Sequence, residues 1–171
     1  MRFLTPLIAL TTLCATVLAD GASIAAAMHS ISEKTVDLDN EVISWNGKLF
    51  KVFPVVGKST DLLFEIQSGT KVAEKSANLT MTEALTIASA TEELGKTVVT
   101  ALGNIQEAKP KFKKLALTPA ILLNLIAQQS ATKKFGEATI SKVPEMLQPI
   151  AKNLLVPIEQ AFEKAIADYK K

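Results

Sequence analysis

The chain has 171 residues, with 19 Lys and Arg against 17 Asp and Glu, one His and one Cys. That near-neutral balance argues against a nucleic-acid partner, and Arg2 is the only residue able to offer the bidentate fork that reads phosphates and bases. A single His and a single Cys give too few soft ligands for a metal centre and no disulfide framework, so an ordinary apolar core must hold the fold.

Met1 and Arg2 precede an apolar run from Phe3 to Leu18, which closes in Val17-Leu18-Ala19 ahead of Asp20. A short positive start, an apolar stretch and small residues at the cleavage point predict a secretory signal over residues 1–19. The run falls short of the about 20 residues of a bilayer span. Thr11-Thr12-Leu13-Cys14 lacks the small residue before cysteine that a bacterial lipoprotein needs. With the signal go Arg2 and Cys14, leaving 18 Lys against 17 acids in residues 20–171. One domain is expected there, since a chain of that size buries roughly 70% of its unfolded surface. The chain ends Ala167-Asp168-Tyr169-Lys170-Lys171 without an apolar tail, so no lipid anchor is expected.

From Ile24, the residues Met28, Ile31, Leu38, Val42 and Trp45 alternate steps of four and three, with Thr35 in the polar slot. This predicts a helix with a narrow apolar seam, stopped at Asn46-Gly47. The stretch Leu49 to Val56 is apolar without a period and reads as a connection. A second helix is expected to start between Pro54 and Asp61, carry Leu62, Leu63, Ile66, Val72 and Ala73, and end near Asn78. Gly69 inside it costs about 1 kcal/mol relative to Ala. Thr80-Met81-Thr82-Glu83 predicts a capping box opening a third helix through Leu85, Leu94, Val98, Leu102 and Ile105, with Pro110 as its stop. Thr118-Pro119 predicts the start of a fourth, Thr as cap and Pro at the first helical position, carrying Leu122, Leu125, Ile126 and Phe135. A last helix begins around Val143-Pro144 and shows Leu147, Ile150, Leu154, Ile158, Ala161, Ala165 and Tyr169. Pro149 and Pro157 interrupt it, and unbroken apolar phase across Pro157 predicts one kinked helix rather than two. The predicted architecture is all-α, an antiparallel bundle of about five amphipathic helices.

The chemistry on offer is sparse. His29 stands alone beside the first seam and reads as a partly exposed structural residue. Asp37 to Glu41 resembles the start of a calcium loop, but Val42 occupies the glycine position and Lys48 the final carboxylate position, leaving a solvated acidic face. No nucleophile elbow, phosphate loop or dinucleotide fingerprint is present, so neither catalysis nor a cofactor is expected. Lys109-Pro110-Lys111-Phe112-Lys113-Lys114 is the densest basic run and suits either an anionic lipid or wall-polymer surface or a wet connector. Asn78-Leu79-Thr80 is a glycosylation sequon. Phe50, Phe53, Val55 and Val56, at the first connection, either cover one end of the core or form an exposed patch for surface adsorption. Leu62, Ile66, Leu85, Leu122, Ile126, Leu154 and Ile158 fall on the predicted inner faces of four helices. They are the candidates to line a lipid-binding pocket if the bundle is incompletely filled.

The seams from Ile24 to Trp45, Leu122 to Ile126 and Leu147 to Tyr169, with Gln128-Gln129 followed by Lys133-Lys134-Phe135-Gly136, resemble the fungal hydrophobic surface-binding protein A and cell wall galactomannoprotein family. The resemblance covers nearly all of residues 20–171. It implies a five-helix domain, secretion or wall association, adsorption to hydrophobic surfaces and, in some members, capture of fatty acids in a central apolar pocket. The partners it implies are a fatty acid or other apolar small molecule and a hydrophobic solid, with cell wall polysaccharide or a secreted hydrolase beyond them. The rival expectation is a structural wall mannoprotein with a fully packed core and no ligand.

Overall fold

The computed structural model describes residues 19–171, and the expected secretory signal lies, but for Ala19, outside the described residues. Five helices follow one another: α1 (Ala19–Ser44), α2 (Phe53–Lys75), α3 (Met81–Lys114), α4 (Thr118–Ile140) and α5 (Gln148–Tyr169). Short 3-10 turns at Leu49–Lys51 and Glu145–Leu147 lead into α2 and α5. No strand occurs among the described residues.

The seam of α1 is buried at every expected position from Ile24 to Trp45. Thr35 fits there because its hydroxyl donates to the Ile31 carbonyl at 2.7 Å, satisfying itself within the helix. Gly47, at φ +82°, turns the chain after α1 in a conformation that other L-residues adopt only at a cost. The capping box forms: Thr80 Oγ1 accepts from the Glu83 N–H at 3.3 Å and Glu83 Oε2 accepts from the Thr80 N–H at 2.9 Å.

Three expectations about proline and capping are corrected. Pro110 does not stop α3, which runs on to Lys114 because the turn beyond the proline is anchored. There Phe112 is buried and its ring lies 4.5 Å from that of Trp45, while Lys111 Nζ donates to the Trp45 carbonyl at 2.9 Å. Thr118 does not cap α4; it is the first helical residue, and its hydroxyl is buried without a hydrogen-bond partner. Pro149 sits in the first turn of α5, where a missing N–H costs nothing, rather than interrupting the helix. Pro157 does lie inside α5, which continues through it as one helix.

Successive helices reverse direction, yet the spatial order differs from the chain order. Helix α1 packs on α2 and α3, α2 also on α4, and α3 and α4 both on α5, closing a ring α1-α2-α4-α5-α3. Helices α3 and α4, adjacent in sequence, barely touch. Gly69 permits the close approach within this ring: a Cβ there would stand 3.1 Å from Ile31 and 3.2 Å from Phe135. One end of the ring gathers the α1–α2 and α3–α4 connections, tied by the Trp45–Phe112 contact. The other gathers the α2–α3 and α4–α5 connections, tied by the Leu79 N–H donating to the Lys142 carbonyl at 2.7 Å.

Candidate functional site

A ring of five helices has a central axis, and here the axis is not fully filled. An internal cavity of about 110 Å³ lies among α3, α4 and α5. Its walls are almost entirely apolar, including Met28, Ile87, Leu94, Phe135, Val143, Leu154, Leu155 and Ile158. Leu85 and Ile150 line it as well and are 64% and 58% exposed, so they mark its mouth on the surface between α3 and α5. Met81 and Met146, at the same end, extend that exposed apolar rim.

Toward the middle of the ring Leu94, Thr132, Phe135 and Ile158 separate this cavity from a smaller void of about 30 Å³. Beyond Leu38 and Ile105 follows a third of about 120 Å³, beside Val55, Val56, Ser59, Ile121 and Leu125. The three voids thus share walls in series along the axis. Side chains rather than backbone divide them.

Polar groups in these walls are few and mostly satisfied. The Thr91 hydroxyl donates to the Ile87 carbonyl at 2.7 Å. Between the middle and third voids, Gln128 Nε2 donates to Ser59 Oγ and Asn124 Oδ1, each at 3.0 Å, and Ser59 Oγ donates to Asn124 Oδ1 at 2.7 Å. Thr139 is the exception, in the cavity among α3, α4 and α5: it is 4% exposed, and its hydroxyl has no hydrogen-bond partner. Leaving such a group unpaired costs about 1–3 kcal/mol, which makes it the natural counterpart for a polar atom brought in from outside.

Of the pocket candidates, Leu154 and Ile158 line the cavity among α3, α4 and α5, Leu85 stands at its mouth, and Leu62 and Ile66 line the middle void. Leu122 and Ile126 depart from the expected inner face. Leu122 is half-buried and borders none of the three voids, and Ile126 is 41% exposed on a surface groove beside Glu159 and Glu163. The reason is the phase of α4, whose inner stripe is Ile121, Leu125, Gln128, Thr132, Phe135 and Thr139. Half of that stripe is polar, and an apolar-only reading selects the neighbouring rows. Those polar slots were the available signal for a cavity wall.

At the opposite end Phe50, Phe53 and Val56 are exposed, while Val55 is buried and so cannot belong to a surface patch. It points inward because α2 begins at Phe53, which turns Val55 toward Val42 and Leu125 around the third void. The acids of α1 are not simply solvated: Asp37 pairs with Lys58 at 2.7 Å, and Asp39 accepts from Asn104 at 2.8 Å. The Lys58 ammonium holds the Asp37 carboxyl below its usual range. His29 is exposed and lies 3.4 Å from Glu33. Asn78 is exposed on the α2–α3 connection. Among the described residues no group of His, Cys, Asp and Glu is placed to hold a metal, and no helix is long and apolar enough to cross a membrane.

This fold has known counterparts. The chain is 32% identical over 150 residues to cell wall mannoprotein 1 of Aspergillus flavus, covering 88% of this chain and 54% of that one. It is 30% identical over 143 residues to cell wall mannoprotein 1 of Aspergillus fumigatus, covering 84% and 50%. The chain therefore spans about half the length of these relatives. Among solved structures, AFMP4P in complex with palmitic acid superposes with a TM-score of 0.84 at 21% identity, covering 87% of this chain and 99% of that one. Ligand binding domain 1 of Penicillium marneffei MP1 protein, complexed with arachidonic acids, gives 0.83 at 21% identity, covering 88% and 98%. The sequence model of hydrophobic surface binding protein A matches residues 21–141, and the chain belongs to that family.

Proposed function

We propose that this protein is a secreted, non-enzymatic carrier that takes the acyl chain of a fatty acid into the cavity among α3, α4 and α5. The observation that carries the reading is an apolar internal cavity reaching the surface at an exposed apolar rim. A packed wall protein would have neither. Each methylene removed from water contributes about 0.8 kcal/mol, so a chain of modest length suffices for tight binding. That cavity alone is small for a long acyl chain. Side-chain rotation of Leu94, Phe135 and Ile158 would join it to the middle void and supply the remaining length. The hydroxyl of Thr139 offers the carboxyl group a hydrogen bond inside the wall. Solved proteins of the same fold, bound to palmitic and arachidonic acids, support the choice of ligand class. The wall association of the mannoprotein relatives supports an extracellular or wall location, and the exposed Phe50, Phe53 and Val56 give the protein a means of adsorbing to an apolar solid.

Thermal unfolding with and without palmitic acid, paired with native mass spectrometry, tests the reading. At a hundredfold excess over Kd, binding to the folded state alone raises Tm by roughly 5 to 10 °C. An unshifted Tm with no ligand-bound mass would leave the packed wall protein as the function.

A further inference from the structure

The basic run Lys109–Lys114 has no part in the cavity, and its own aromatic is unavailable, since Phe112 is buried against Trp45. The fold supplies other aromatics in its place. Lys111 packs along Gly47 and donates to the Trp45 carbonyl, which brings the end of α3 against the connection that carries Leu49, Phe50 and Phe53. Phe50 is 84% exposed, Phe53 66% and Leu49 50%, at one end of the molecule rather than along a helix face.

The two segments that build this end carry charge of one sign. Residues 45–60 and 109–120, which build this end, contain seven Lys and neither Asp nor Glu. The rest of residues 20–171 holds eleven Lys against seventeen acids. Within the basic end Lys58 is paired with Asp37 and Lys109 with Asp168, while Lys48, Lys51, Lys113 and Lys114 are exposed and form no ion pair among the described residues. The molecule is therefore electrically polarised, positive at the aromatic end. An apolar solid needs only the phenylalanines and gains nothing from this arrangement. A bilayer with anionic headgroups uses both, the aromatics entering the interface and the ammonium groups meeting the lipid phosphates and carboxylates.

We propose that this end, formed by Phe50 and Phe53 with Lys48, Lys51, Lys113 and Lys114, docks the protein on anionic lipid membranes. The mouth at Leu85 and Ile150 lies at the opposite end, so a docked molecule keeps it open to solution. The inference is independent of the fatty-acid reading, because it concerns a surface that borders neither the cavity among α3, α4 and α5 nor its mouth.

Co-sedimentation with vesicles of phosphatidylcholine alone, or of phosphatidylcholine mixed with phosphatidylserine, tests it. The protein should bind the mixed vesicles well over tenfold more tightly, and raised salt should release it as the charges are screened. K113Q/K114Q should weaken binding to the mixed vesicles by roughly tenfold or more while leaving adsorption to polystyrene unchanged. F50S/F53S should weaken both, with helical content and Tm preserved because both rings are exposed. Equal binding to the two vesicle types, indifference to salt, or a K113Q/K114Q protein that binds mixed vesicles as the parent does would each overturn the proposal. So would failure to bind vesicles at all, and none of these outcomes bears on palmitic acid binding.

Discussion

Two residues define how finely this bundle is tuned. Thr139 places an unpaired hydroxyl in the wall of the cavity among α3, α4 and α5, where its own helix does not satisfy it. Thr139→Val keeps the shape and removes the unpaired group, so the ligand-free protein should gain about 1 kcal/mol in chemical denaturation. If the hydroxyl meets the carboxyl of the ligand, palmitic acid affinity should fall roughly fivefold to tenfold while affinity for the matching alkane stays the same. Equal affinities for both ligands before and after substitution would remove Thr139 from the site. Glu83 acts on stability alone. Its carboxyl is held below its ordinary value by the Thr80 N–H, then the Thr80 hydroxyl and, less strongly, the Gly21 N–H. A carboxyl whose folded value is depressed stabilises fully above its unfolded value, and the contribution disappears as pH falls through the folded one. The Tm difference between the parent and Glu83→Gln should therefore be present at pH 7 and vanish on acidification below about 4, a window set by the ordinary carboxylate range. A difference that persists unchanged in acid would contradict this role.

At the scale of elements, the first cavity and the middle void are separated by side chains carried on α3, α4 and α5, and Ile158 is the one from α5 that borders both. Ile158→Ala should cost about 2–5 kcal/mol of ligand-free stability. It should also shift preference toward longer acyl chains, read as the ratio of Kd values across a series of saturated fatty acids. An unchanged ratio would mean that the two voids are not used together. Helix existence was legible because each stripe is long and periodic, as in Ile24 to Trp45, and the capping box at Thr80 was legible because its chemistry is local. The ends were less so. Pro110 was read as a stop, but a proline's lost hydrogen bond can be outweighed by contacts from a helix far away in sequence, here Trp45 on Phe112. The turn after α3 was also hidden, since Ala116 takes φ 56° where glycine is the usual occupant. The pocket was legible in part. Leu154 and Ile158 follow from apolar phase, whereas Gln128, Thr132 and Thr139 lie on the inner row of α4 and were passed over because they are polar.

For the molecule as a whole, the ring order explains why a small chain with a single cysteine, and so no internal disulfide, can keep internal space. Helices α3 and α4 follow one another in sequence but are held apart, and α5 fills only part of the gap between them. The remaining core, from Trp45 and Phe112 at one end to Leu79 and Val143 at the other, is closely buried and supports the open volume. The account rests on the acyl chain occupying that volume. Its most direct test is a crystal grown with a fatty acid carrying bromine at the end of its tail, located by anomalous scattering. The account predicts a bromine peak inside the ring, bounded by Leu94, Phe135 and Ile158. A peak only outside the ring, against Phe50 and Phe53 or in the groove beside Ile126, would contradict it.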